Sequence, residues 1–226
     1  QSSEVLLLMR LTDWVSHEKW FSEVTMKKEL GKEDALRFYA LMTMGGNLSI
    51  NACIDTAYLD FCRTMHGILK NESNASMRLE SSEIICRLIG KVIKSKLNQS
   101  EFDKLHKAAC ISIRKVYLSQ KASFYIGQAQ KWINMSFKYV YLLQLSDLLD
   151  ESEPSVAILK QNYMYFHLPI DNIVLQNQTV KCRYSKYIGV TAWSRIDDYS
   201  KYIAFQKSLQ DAIDIPLIVF EGQIWK

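Results

Sequence analysis

Apolar side chains recur at helical intervals along most of the chain. In residues 5–27 they are Leu7, Leu8, Leu11, Trp14, Val15, Phe21 and Val24, and over Lys32–Thr43 they are Ala35, Leu36, Tyr39 and Met42. Both stretches read as amphipathic helices, because a 3.6-residue period brings such positions onto one face. Gly45-Gly46-Asn47 breaks the pattern, after which Ile50, Cys53, Ile54, Ala57, Tyr58, Phe61 and Met65 mark a helix with an almost continuous apolar face. Asn71–Met77 reads as a loop or linker. The period resumes over Ser82–Leu97 through Ile84, Ile85, Leu88, Ile89, Val92 and Ile93, and again over Phe102–Leu118, where Ser100 is placed to cap the helix. Ser119–Gly127 then interrupts before a run carrying Trp132, Met135, Tyr139, Leu142 and Leu143.

The last third is less regular. Asp150-Glu151-Ser152-Glu153-Pro154 ends one element and opens Ser155–Tyr165, and Pro169 opens another short helix, since proline suits a first turn. Residues 177–192 show no helical period and read as irregular or extended. Trp193-Ser194-Arg195-Ile196-Asp197-Asp198 supplies an N-cap region for a helix to about Ala212, and Pro216-Leu217-Ile218-Val219-Phe220 reads as a short extended tail. The expected fold is mainly α, a multi-helix globular protein with a short extended C-terminal segment. It divides into helical subdomains over 1–80 and 81–226, or forms one compact domain with a cleft between those halves. No fixed-period repeat is present.

Composition agrees with helices rather than a β-sandwich: 8 Gly and 3 Pro in 226 residues leave little material for tight turns. The formal charge of +4 permits a polyanionic partner without demanding one. Its distribution says more, because residues 91–121 carry Lys91, Lys94, Lys96, Lys104, Lys107, Arg114, Lys115 and Lys121 against only Glu101 and Asp103. The five cysteines, Cys53, Cys62, Cys86, Cys110 and Cys182, form no C-x-x-C pair and read as reduced, buried thiols. No pattern calls for a metal or a cofactor. Val5-Leu6-Leu7-Leu8-Met9 is too short for a membrane span, so a cytoplasmic location, or a nuclear one in a eukaryote, is the expectation. The sequons at Asn47, Asn71, Asn74, Asn98, Asn134 and Asn177 run against that reading.

Two motifs carry candidate chemistry: Gly127-Gln128-Ala129-Gln130-Lys131-Trp132-Ile133-Asn134-Met135, and forty residues later His167-Leu168-Pro169-Ile170-Asp171. Each puts one charged residue near a helix start. Lys131 lies toward the positive end of a helix dipole, which disfavours an ammonium there, and an unprotonated amine is a nucleophile. Asp171 follows a proline, and unpaired backbone N–H groups at a helix start favour its carboxylate. An amine and a carboxylate together suit imine chemistry.

At these motifs the chain resembles the helix-hairpin-helix DNA glycosylases, in particular the archaeal 8-oxoguanine glycosylase branch, over about residues 120–180. The resemblance implies that Tyr125–Gln130 forms the hairpin, with Gly127, Gln128 and Gln130 facing a phosphate. It implies that Lys131 is the catalytic lysine and that Leu168-Pro169-Ile170-Asp171 carries the essential aspartate. Double-stranded DNA with a damaged base is the implied partner, and base excision with strand cleavage the implied activity. Such an enzyme must extrude a nucleotide, hold its base by stacking and edge hydrogen bonds, and stabilise positive charge on the sugar. Trp132, Phe166, His167 and Trp193 are candidates for stacking, and Asn134 and Lys138 could extend the polar face of Lys131. Two alternatives compete. One is a helical nuclease using His66, His106 or His167, and the other a non-catalytic module presenting Trp193-Ser194-Arg195 and the Tyr199/Tyr202/Phe205 stripe to a protein or nucleic acid.

Overall fold

The computed structural model describes residues 31–65, 73–149 and 159–224. The chain falls into two compact units, 1–39 and 40–226, and the second holds everything that bears on the site. The helix expected over 5–27, His66 and the acidic turn at 150–154 lie outside the described residues. Among the described residues there are nine α-helices and no strand, so the mainly α expectation holds. No described helix is long and apolar enough to cross a membrane.

Helix α1 (Lys32–Thr43) has its expected bounds. It ends because Gly45 and Gly46 adopt φ of 68° and 85°, which lets the Gly46 N–H turn back to the Leu41 carbonyl at 2.8 Å. The Ser49 hydroxyl opens α2 (Ile50–Phe61) by accepting from the Ala52 N–H at 3.2 Å. Helix α3 (Asn74–Lys94) begins inside the stretch expected to be a linker and runs straight through the expected boundary at residue 80. Its buried stripe explains the correction: Met77, Ser81, Ile85, Leu88 and Val92 continue one face upstream, with a small serine standing where a larger apolar residue would have announced it.

Helix α4 (Gln99–Ser119) is capped by Asn98, not Ser100. The Asn98 side chain accepts from the Glu101 N–H at 3.0 Å, and the Glu101 carboxylate accepts from the Asn98 N–H at 2.8 Å, a reciprocal capping box. Helix α5 (Ile126–Leu145) is the centre of the fold, buried on every side from Ile126 to Phe137 and packed against α2 and α4. The expected hairpin at Tyr125–Gln130 is therefore corrected: those residues are the N-cap and first turn of α5, with Gln128 Oε1 accepting from the Tyr125 N–H at 3.0 Å.

Beyond α6 (Leu159–Asn162) and a 3₁₀ turn at Tyr163–Tyr165, the chain runs extended to Ile170 and then enters a 3₁₀ turn at Val174–Gln176, in place of the helix expected at Pro169. Helix α7 (Gln178–Tyr187) occupies the stretch expected to be irregular. It buries only Val180 and Tyr184, a stripe too thin to register as a period. Helix α8 (Tyr199–Gln210) is capped by Asp198, and α9 (Leu217–Ile224) replaces the expected extended tail. The β-branched pair Ile218-Val219 favours strands locally, but Pro216 suits a helix start and its carbonyl accepts from the N–H groups of Val219 and Phe220.

Candidate functional site

The segment that delivers Asp171 is stitched down by two buried glutamines. Gln206 of α8 donates to the Leu168 carbonyl at 2.9 Å and accepts from the Leu168 N–H at 3.0 Å. Gln130 of α5 donates to the Ile170 carbonyl and accepts from the Ile170 N–H, both at 3.3 Å. Each side-chain amide pairs with a backbone N–H and C=O as a neighbouring strand would, which satisfies the extended chain where no strand is present among the described residues. Asp171 emerges next to α5. Its Oδ1 accepts from the N–H groups of Ile173 and Val174 at 2.8 and 2.9 Å, and its Oδ2 accepts from Lys131 Nζ at 2.6 Å. The two side chains are 13% and 4% exposed. Asp171 thus caps a 3₁₀ turn and pairs with the lysine forty residues earlier.

Further charges gather around this pair. Lys138, seven residues beyond Lys131 on α5 and so on the same face, pairs with Glu221 of α9 at 2.6 Å. Asp60, in the last turn of α2, accepts from the Tyr139 hydroxyl at 2.8 Å. Burial pushes the Asp60 carboxyl above the usual range, against the Tyr139 hydrogen bond and the nearby positive charges of Lys131 and Lys138, with Asp171 pushing the same way as burial. Burial and then the adjacent Asp60 raise the Tyr139 phenol well above its ordinary value. Sequence reasoning missed Asp60. The one signal was an acid in the last turn of a helix, where the dipole disfavours it.

Lys131 and Asp171 are brought together; the residues expected to hold DNA are not open to it. The Gly127 N–H donates to the Ile196 carbonyl at 2.8 Å, and a Cβ there would lie 1.8 Å from the Trp193 carbonyl oxygen, so this glycine serves a close helix–turn approach and not a phosphate. Gln128 donates to the Thr64 carbonyl at 3.0 Å and Gln130 is spent on Ile170. Trp132 is fully buried between Tyr58 and Phe61, with its indole N–H on the Ile54 carbonyl at 2.9 Å. Phe166 is buried against Phe102 and Phe137, and Trp193 is buried in the turn over Gly127. All are core residues rather than a stacking platform.

Asn134 and His167 belong to an internal polar network. His106 Nε2 donates to Asn134 Oδ1 at 3.0 Å, and Asn134 Nδ2 donates to Gln130 Oε1 and to the Tyr202 hydroxyl, each at 3.0 Å. Tyr202 donates to His167 Nδ1 at 3.0 Å, and His167 Nε2 donates to Asp103 Oδ1 at 3.0 Å. These partners assign both tautomers. Neither His106 nor His167 has any exposed surface, so neither reaches a phosphodiester as the nuclease reading requires. Asn134, a sequon residue, is buried and fully hydrogen-bonded, and the Tyr199, Tyr202 and Phe205 stripe is core. All five cysteines are free; Cys86 and Cys182 are exposed, against the expectation that the thiols are buried.

This network makes the fold sensitive to acid. Burial holds His106 well below the ordinary imidazole value, with His167 beside it acting in the same direction; burial also lowers His167, outweighing its bond to Asp103. A group whose folded value is depressed stays neutral in the folded chain while the unfolded chain takes up protons below about pH 6.5. Stability is therefore expected to be flat above pH 7 and to fall as pH drops below about 6.5. Urea midpoints measured between pH 8 and 5 check this, and His106→Gln should make the fall shallower. Asp103 adds a later loss: burial raises it, but hydrogen bonds from His167 and Gln99 outweigh this and hold it below the usual range. Its contribution disappears as pH falls through that lower value.

The basic segment keeps its character in the fold. Glu101 is taken up by the α4 capping box and Asp103 by His167 and Gln99, while Lys91, Lys94, Lys96, Lys104, Lys107, Lys115 and Lys121 are exposed. Arg114 alone of the eight pairs across to Asp197, at 2.7 Å, among the ion pairs of the described residues. No group of three or more His, Cys, Asp or Glu side chains among the described residues is arranged to hold a metal ion. Compared with known proteins, the chain matches no family model, no curated protein and no solved structure.

Proposed function

We propose that this protein is a DNA base-excision glycosylase with lyase activity, in which Lys131 is the nucleophile and Asp171 the carboxylate that supports charge on the sugar. The observation that carries this reading is the 2.6 Å approach of Lys131 Nζ to Asp171 Oδ2, made by residues forty positions apart on separate segments. Departure of a base from C1′ builds positive charge that a fixed carboxylate stabilises, and a neutral amine attacking C1′ yields a Schiff base that permits strand cleavage. The exposed lysines of α3 and α4 supply contacts to a duplex backbone, which position DNA without reading its sequence. The extruded base is selected by groups other than Trp132, His167 and Trp193, whose surfaces are spent in the core.

The test uses duplexes containing 8-oxoguanine, uracil or an abasic site, with borohydride added to reduce any imine. Wild type should release a base and form a covalent adduct, and Lys131→Gln should lose the adduct entirely while still binding DNA. A second reading draws on the burial of Lys131, whose side chain is only 4% exposed. On it the Lys131–Asp171 pair is purely structural and the protein is a non-catalytic nucleic-acid-binding module. Binding to the basic face with neither base release nor trapping on any of these duplexes favours that module and contradicts the glycosylase.

A further inference from the structure

Resting on the reading of Lys131 and Asp171 as the catalytic pair, we propose that Gln130 is a positioning residue for that reaction, its side-chain amide setting the register in which Asp171 meets Lys131.

Two neighbouring contacts share one spacing. Gln130 bonds Ile170 and Lys131 bonds Asp171, so consecutive residues of α5 hold consecutive residues of the extended segment, each pair forty positions apart. Successive side chains of an extended chain point to opposite sides. A slip of one residue would therefore bring Ile170 or Asn172 to Lys131 and turn the carboxylate away. The single bond between Lys131 and Asp171 joins the tips of two side chains, which leaves the backbone between them room to shift. The Gln130 amide fixes that backbone, because it engages the N–H and the C=O of one residue at once.

Gln130 is itself held in one orientation. It is fully buried, its Oε1 also accepts from Asn134 Nδ2 at 3.0 Å, and its Nε2 also donates to the Gly127 carbonyl at 2.9 Å. With Ile170, both donors and both acceptor sites of the amide are used. Asn134 is fixed in turn by His106 of α4 and Tyr202 of α8, and Tyr202 bonds His167 at the start of the same extended segment. Gln206 grips Leu168 as Gln130 grips Ile170, and Pro169 between them has no N–H to leave unpaired. The grip of Gln130 is the one that adjoins Asp171.

The experiment is single-turnover trapping on an abasic-site duplex with cyanoborohydride between pH 6.5 and 9, for wild type, Gln130→Leu, Gln130→Glu and Asn162→Leu. Duplex binding and thermal melting are measured beside it. Asn162 is the control: it is also a fully buried amide, bonded to the Val92 and Ser95 carbonyls and the Leu97 N–H, but it ties α6 to the end of α3 and not to either catalytic residue. Gln130→Leu should bind the duplex as wild type does and trap about 100-fold more slowly, the scale of a misplacement of about 1 Å between reacting groups. Asn162→Leu should lower the melting temperature and leave the trapping rate of the folded protein at the wild-type value.

Gln130→Glu adds a readout that loss of stability alone does not give. A protonated carboxyl keeps one O–H donor and one C=O acceptor for Ile170, whereas a carboxylate has no donor for the Ile170 carbonyl. Burial favours the protonated form. The titratable groups around that position are His106 of α4 and Tyr202 of α8, both reached through Asn134, with Lys131 of α5 and Asp171 of the extended segment alongside. The rate of Gln130→Glu relative to wild type should therefore be lowest at pH 9 and recover as pH falls to 6.5. Equal slowing in Gln130→Leu and Asn162→Leu, or a Gln130→Glu ratio that stays flat with pH, would overturn the positioning role while Lys131 keeps its own. Absence of trapping by wild type would overturn both.

Discussion

Replacing Gly127 by alanine is expected to destabilise the protein by about 3 kcal/mol, the upper range for forcing a methyl group into a packed site. The added Cβ would stand 1.8 Å from the Trp193 carbonyl oxygen and 2.9 Å from its carbon. Both are backbone atoms, so no rotamer change relieves the clash. Helix α5 and the 193–195 turn must separate, and the Gly127 N–H bond to the Ile196 carbonyl goes with them. For a chain of this size the loss corresponds to a melting temperature lower by roughly 6–12 °C. Gly90 in helix α3 is the control, because a methyl group added there would meet nothing within 4 Å. Gly90→Ala should be neutral or slightly stabilising, because alanine is the better helix former. Equal stability of the two variants would show that the close approach at Gly127 is not needed.

Asp171→Asn is expected to cost about 3 kcal/mol for a different reason. The amide keeps an oxygen for the Ile173 and Val174 N–H groups, so the cap survives, but Lys131 loses its counter-charge while its side chain is 4% exposed. An uncompensated ammonium in that setting is far costlier than removal of both charges, since desolvation of each ion offsets most of their attraction. Adding Lys131→Met to Asp171→Asn should therefore recover most of the lost stability. Urea midpoints for the two single variants and the double variant make a mutant cycle, and the expected coupling is about 2 kcal/mol. Simple additivity would show that the two side chains do not act as a pair.

The helices that bury wide apolar faces were legible from the chain. Lys32–Thr43 could be drawn to the residue, because glycines with positive φ mark its end and a clear period marks its body. Helix α7 was not, since a helix burying only Val180 and Tyr184 offers no period, and α9 was hidden by β-branched residues that its neighbours override. At the site, Lys131 and Asp171 were legible as charges near two expected helix starts, although Asp171 stands before a 3₁₀ turn and not an α-helix. The polar residues next to Lys131 misled because the sequence does not say which way a side chain points. Gln130 and Asn134 face inward, where hydrogen bonds to Ile170, His106 and Tyr202 satisfy them. Asp60 and Tyr139, seventy-nine residues apart, meet only through the packing of α2 on α5.

The most direct test is where a trapped sugar sits. An abasic-site duplex is incubated with wild-type protein and borohydride, the adduct is digested, and the modified peptide is sequenced by mass spectrometry. The residue bearing the reduced sugar should be Lys131, in the peptide between Lys121 and Lys138. An adduct on another lysine, or no adduct from a protein that binds the duplex, would contradict a nucleophilic Lys131.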